Sequence, residues 1–214
     1  MAWGWQLWLS PRPSRRTPTP CEPRVLSPND AALYEFLYED DRRFVVKETH
    51  YAENQAVQDG LSGPPLHIHL RQTEYFEVLQ GALAVVRDGK THVLTQDDGT
   101  VAIAPSTRHR FWAHPGKEDL IFKVYAQPEE VDRGFDENYL RNALGYLRDC
   151  QMSSIEPSIF QMALFGCLSD TIFVLPPFWM PIWSLKLTQY VCAYWIGRFL
   201  LGYRETYPEY SIKK

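Results

Sequence analysis

The sequence predicts a mostly β protein: an antiparallel jelly-roll barrel followed by an α-helical extension. Three observations carry that expectation. Between residues 43 and 125, short apolar runs of strand length recur, punctuated by Gln58-Asp59-Gly60, Gly63-Pro64-Pro65 and Asp88-Gly89. No long helical period precedes residue 136. From Asp136 onward the apolar spacing becomes helical. The chain therefore divides into a flexible Pro/Arg-rich arm (1–30), a barrel (31–135) and a helical, aromatic-rich extension (136–214).

The arm carries Pro11, Pro13, Pro18 and Pro20 among serines and arginines, a composition that cannot pack a core of its own. Arg43 to Tyr51 is the first strand-like run, and His50 on it reads as an ordinary strand histidine. His67-Ile68-His69 and the run from Glu74 to Leu79 follow as partner strands. Ala82 to Val86 and the return strand with His92 flank Asp88-Gly89, where glycine tolerates the positive φ of a tight hairpin. Val101 to Ala104 leads through Pro105 to Arg108-His109-Arg110-Phe111-Trp112, and Leu120 to Tyr125 closes the barrel.

Asp136 is placed to cap a helix with apolar positions Tyr139, Leu140, Ala143, Leu144 and Leu147. Ser158 to Leu168 and Leu185 to Tyr203 read as two more helices, separated by a Pro-interrupted segment. The longest charge-free run there, 171–185, is shorter than the ~18 residues of a spanning helix and is broken by proline. Lys186 and Arg198 are expected on one face of the last helix, with Leu187, Val191, Tyr194 and Trp195 facing elsewhere. The tail is expected to pack on the barrel or on a second copy in a homodimer, with peripheral membrane contact as the alternative.

The chain has 214 residues and is 45% hydrophobic, enough for one real core. Its net charge of −4 argues against a nucleic-acid footprint. Residues 27–150 carry 13 basic and 21 acidic side chains, whereas both ends are slightly basic, so barrel and tail suit different surroundings. Cys21, Cys150, Cys167 and Cys192 have neither metal-knuckle nor redox spacing and read as buried free thiols. Met1 to Leu9 is apolar, but no basic segment precedes it and Pro11 follows, so it makes an unconvincing secretory signal. Both points place the protein in the cytoplasm.

The chemistry concentrates between Pro65 and Trp112. Strand side chains alternate faces, so His67 and His69 point the same way. The short connection to Glu74 brings a carboxylate back beside them, and His109 lies on a third strand-like piece. Three imidazoles and one carboxylate suit a divalent transition metal such as iron, manganese or zinc, and the donor types do not choose between these. Phe76, Val78, Ile103 and Phe111 are candidates to line an apolar pocket beside the metal. No residue outside the metal set is assigned a catalytic role.

The spacing His67-x-His69, four residues, Glu74, six residues, Gly81 resembles the first motif of the cupin superfamily. The second motif is looser. Asp98-Gly99 stands where the family usually has Gly-Asp, Ala104-Pro105 where Pro-Pro is common, and Ser106 where Gly is usual, yet His109 falls at the ligand position. This likeness covers residues 43–125. The whole chain resembles the small fungal cupin-domain oxidoreductases associated with polyketide biosynthesis, through Glu74 to Leu79, Leu147 to Cys150 and the ending Tyr207-Pro208-Glu209-Tyr210. The resemblance implies a metal-dependent oxidoreductase acting on a small aromatic or polyketide-derived metabolite in secondary metabolism. Two other classes share the same residues: a non-redox isomerase, dehydratase or cyclase, and a non-catalytic small-molecule binder. No Gly-x-Gly-x-x-Gly is present, so redox work would rest on metal and oxygen rather than on a nicotinamide or flavin.

Overall fold

The computed structural model describes residues 3–39, 43–129 and 131–212, so Met1 and Ala2 of the predicted arm lie outside the described residues. Alternation of inward apolar and outward polar side chains builds two antiparallel sheets among these residues. One runs in the order β1 (Arg24–Leu26), β2 (Ala32–Glu39), β3 (Arg43–His50), β10 (Leu120–Gln127), β5 (Thr73–Gln80), β8 (Thr100–Ile103). The other runs β11 (Thr171–Phe173), β4 (His67–His69), β9 (His109–Ala113), β6 (Leu83–Arg87), β7 (Lys90–Leu94). In β10, Leu120, Phe122, Val124 and Ala126 are buried while the residues between them are less covered, the period-two signature of a strand with one core face. Two facing sheets of this kind make the jelly roll expected from the sequence.

The core between the sheets is aromatic at its centre. Phe111 meets Phe76 and Phe122 edge to face, with ring centroids 4.9 and 5.7 Å apart. Two glycines mark where the chain has no alternative. Gly81 has φ +75°, and a Cβ there would lie 2.7 Å from the Asp119 carbonyl oxygen. Asp88 and Gly89, with φ of 48° and 80°, form the two-residue turn between Arg87 and Lys90.

The helices are α1 (Gly4–Leu9), α2 (Gln55–Gln58), α3 (Glu137–Met152), α4 (Ile159–Leu168) and α5 (Ile182–Tyr190). The last continues as α6 (Val191–Leu200), wound with wider π-type turns. Asp136 caps α3 as expected, its Oδ1 accepting from the Tyr139 N–H at 2.7 Å. Leu140 and Leu144 of α3 join the barrel core.

The structure departs from the sequence-based expectation in four places. The arm expected to be flexible is seated: Gln6 Nε2 donates to Leu200 O at 2.8 Å, Arg12 to Leu201 O at 2.8 Å, and Thr17 N–H and Oγ1 to Asp149 at 2.8 and 2.7 Å. A proline-rich segment cannot build a core, but here it borrows partners from the far end of the chain. The barrel also reaches beyond 31–135, since β1 and β11 pair at the edges of its sheets. Along α5 and α6 the expected division of faces is absent: Leu187, Val191 and Trp195 are exposed alongside Lys186 and Arg198. Finally, the four cysteines are free, but Cys150 alone is fully buried and Cys21 is exposed, because Cys21 lies on the arm outside either apolar layer.

Candidate metal centre

Strand β4 carries His67 and His69 towards the barrel interior and Ile68 the opposite way, yet all three are buried. The outward face would be wet in a bare barrel. Here Ile68 is covered by Ile172, Val174 and Leu185 of the extension. Glu74 is the second residue of β5, whose buried series Glu74, Phe76, Val78 alternates with Tyr75 and Glu77. In β9 the buried series is His109, Phe111, Ala113. Antiparallel register sets His67 directly across from His109.

These placements bring all four predicted residues together. Ring centroids are 4.2 Å apart for His67 and His109, 4.9 Å for His67 and His69, and 5.4 Å for His69 and His109. Glu74 Oε2 lies 2.9 Å from His109 Nε2, and Oε1 lies 3.6 Å from His69 Nε2. One donor atom from each of the four falls within 4.8 Å of all the others, and every one of these residues is buried.

The far side of each ring fixes what the near side offers. His67 Nδ1 faces the Pro65 carbonyl at 2.9 Å and His109 Nδ1 faces the Thr107 carbonyl at 3.0 Å. A carbonyl only accepts, so those Nδ1 atoms carry hydrogen and the Nε2 lone pairs turn inward, as in metal-ligating histidines. His69 Nδ1 lies 3.0 Å from Thr171 Oγ1, and Thr171 can pass its own hydrogen to the Ser169 carbonyl at 3.3 Å. His69 Nε2 is buried without a hydrogen-bond partner. At His109 an imidazole lone pair would face a carboxylate at 2.9 Å, an arrangement that needs a proton or a cation. The donor set therefore fits a divalent cation.

Electrostatics agree. Burial pushes Glu74 up, but the hydrogen bond with His109 and the close approach of the His69 imidazole outweigh it and hold the carboxyl well below its usual range. Burial, reinforced by His109 and His69, drives His67 well below an ordinary imidazole, so it stays neutral. For His109 burial pushes down, yet the Glu74 carboxylate prevails and raises it.

The cluster borders a cavity of ≈ 270 Å³ lined by His67, His69 and Glu74. Of the four residues expected on its wall, Phe111 lines it. Phe76, Val78 and Ile103 do not; they belong to the buried barrel core. Phe76 and Val78 share the Glu74 face but lie about 7 and 13 Å further along the strand, below the cavity. Wall residues not foreseen include Tyr34 and Glu48 from β2 and β3, Phe135, Tyr139, Leu140, Leu144 and Leu147 on and before α3, and Thr171 and Phe173 of β11. The apolar period of α3 was the available signal for its share. His92 and His114 are exposed and stand apart from the cluster.

Comparison with known proteins gives a consistent assignment. The family described as the cupin domain matches residues 55–125. The chain is 52% identical over 211 residues to the probable oxidoreductase virH of Hypocrea virens, spanning 98% of this chain and 95% of that protein. It is 46% identical over 206 residues to the oxidoreductase iacF of Pestalotiopsis fici, spanning 94% of this chain and 100% of that one. It is also 32% identical over 153 residues to the epoxidase atD of Aspergillus terreus, across 70% of this chain and 47% of that protein.

Proposed function

The chain belongs to the cupin-domain family and is an enzyme of the oxidoreductase type, and from that premise we propose a metal-dependent oxidoreductase of secondary metabolism acting on a small aromatic or polyketide-derived compound. The observation that carries this reading is the convergence of His67, His69, Glu74 and His109 beside a largely apolar cavity. Bound there, iron would supply redox chemistry with oxygen, and zinc or manganese would supply Lewis-acid polarisation of a carbonyl. The chain's own residues do the rest. Phe111, Phe135, Tyr139, Leu140, Leu144 and Phe173 suit a flat apolar molecule and exclude water. Pro65, Thr107 and Thr171 hold the imidazoles in one tautomer and orientation.

Oxygen-electrode assays on metal-loaded protein with hydroxylated aromatic and polyketide-like compounds test the proposal. Oxygen uptake matched by product supports it. Product formed without oxygen uptake favours the isomerase, dehydratase or cyclase reading, and saturable binding without product favours a binder.

The surface suggests where the protein works. Six of the seven tryptophans are exposed: Trp3, Trp5 and Trp8 on and beside α1, and Trp179, Trp183 and Trp195 along and before α5 and α6. The Gln6–Leu200 hydrogen bond seats α1 against the end of α6, and Lys186 and Arg198 on α5 and α6 are exposed as well. Tryptophan with interspersed cations is the composition of a membrane-interface face, and among the described residues no helix is long and apolar enough to cross a membrane. We propose that this face meets a lipid surface. Sedimentation with anionic vesicles, weakened by Trp179→Ala plus Trp183→Ala, is expected. A stable dimer that ignores vesicles would assign the face to a second copy instead.

A further inference from the structure

A second polar feature of the cavity lies outside the metal cluster. Antiparallel register sets Tyr34 of β2 directly beside Glu48 of β3, and both line the same cavity as His67, His69 and Glu74. Glu48 is only 3% exposed. A buried carboxylate in a mostly apolar wall is costly unless it is held by partners.

Glu48 is held from behind. Alternation along β3 places Glu48 and His50 on the same face, with Lys47 and Thr49 turned away. His50 Nε2 lies 2.9 Å from Glu48 Oε2. His50 is fully buried, packed on Phe122 with ring centroids 5.5 Å apart, and its Nδ1 has no partner. The ring hydrogen therefore belongs on Nε2, where it is donated to the carboxylate. His50 is not part of the cavity wall, so Glu48 is the group of this pair that a cavity ligand would meet.

The groups acting on Glu48 come from each neighbouring element. Burial raises its pKa and the negative charge of Glu74 on β5 adds to that. His50 on its own strand and Tyr34 on β2 pull the other way, and burial prevails, so the carboxyl titrates above the usual range. Tyr34 is itself raised by burial and by Glu48, with a smaller contribution from Tyr139 of α3. A carboxyl in this position can both accept and return a proton.

We propose that Glu48 is the proton partner of the substrate, accepting the hydrogen of an acidic hydroxyl, a phenol or enol, on an aromatic molecule held in the cavity, with His50 and Tyr34 as positioning residues. The substrate O–H bond breaks and leaves its electron pair on the substrate oxygen, while a new O–H bond forms on Glu48. The reverse step returns the proton, so no oxidant or reductant is consumed. This rests on the reading of the cavity as the substrate site, and it narrows the substrate to compounds with an ionisable hydroxyl.

Binding of 4-nitrophenol, whose absorbance distinguishes phenol from phenolate, tests the proposal across a pH series on the intact protein. Wild type should bind best where one proton is shared between probe and Glu48. Affinity should fall on the acid side, where Glu48 fills with a proton, and on the alkaline side, where two anions face each other. Glu48→Gln should bind about tenfold more weakly at the wild-type optimum. It should also lose both limbs, because an amide does not titrate and still donates to the phenolate. Glu48→Asp should keep the acid limb, which leaves the test intact if the glutamine variant fails to fold. Wild-type affinity and pH profile in a folded Glu48→Gln, a wild type without the acid limb, or no saturable binding to wild type would each overturn the proposal. Metal content measured on the same samples separates the two readings: Glu48-dependent binding in protein that never holds metal would sink the metal assignment and leave this one standing.

Discussion

The two sides of the cavity follow different rules. On one side β4, β5 and β9 present His67, His69, Glu74 and His109 through strand alternation, a consequence of period two within a few residues. On the other side α3, the segment just before it and β11 supply Phe135, Leu140, Leu144 and Phe173 through packing between segments far apart in the chain. Local alternation fixes which chemistry faces inward. Long-range packing fixes the shape of the space that chemistry faces. Thr171 sits on the seam, since it belongs to the extension and holds an imidazole of the barrel.

The comparison breaks most severely if the extension is removed. A chain lacking residues 158–214 loses β11 from the edge of β4 and uncovers Ile68. The expected result is aggregation, with no monomeric peak in size-exclusion chromatography and no ordered near-ultraviolet circular dichroism. A soluble, metal-binding truncation would show the barrel to be independent of its tail.

A single change on the packing side should cost stability and spare the metal. Leu144 is buried between α3 and the barrel core. Leu144→Ala should destabilise by about 2–4 kcal/mol in denaturant unfolding while metal content stays at the wild-type value. Loss of metal along with stability would mean the two sides are not separable.

The seam should behave in the opposite way. Thr171→Val keeps the shape of the side chain but removes the hydroxyl facing His69 Nδ1. Metal affinity should fall roughly tenfold in chelator competition, with only a small change in unfolding temperature. An unchanged affinity would show that His69 is oriented by the strand alone.

What could be read in the sequence follows the same line. The four clustered residues were legible because His67-x-His69 and Glu74 need only strand alternation and a short turn, and Gly81 needs only its positive φ. Asp136 at the start of α3 was legible because capping is local. The wall was not. Phe76 and Val78 share the correct face but the wrong depth, and depth depends on where the sheets close. The Thr171–Phe173 strand sits in a proline-interrupted stretch that reads as a connection, and only β4 makes it a strand. Glu48 gave no signal of its own in the sequence; it is buried in the sheet between β2 and β10, whose pairing with β3 is long-range. The arm was misread for the same reason: its partners, Asp149, Leu200 and Leu201, lie more than a hundred residues away.

The central claim is that alternation on three strands builds one metal centre from His67, His69, Glu74 and His109. Elemental analysis of protein purified without added metal, in wild type and in the four single alanine variants, tests it most directly, with His92→Ala and His114→Ala alongside. The account predicts about one divalent transition-metal ion per chain in wild type and in the two exposed-histidine variants, and a sharp loss in each of the four clustered variants. Equal metal in all six variants, or a wild type that takes up none when metal is supplied, would contradict it.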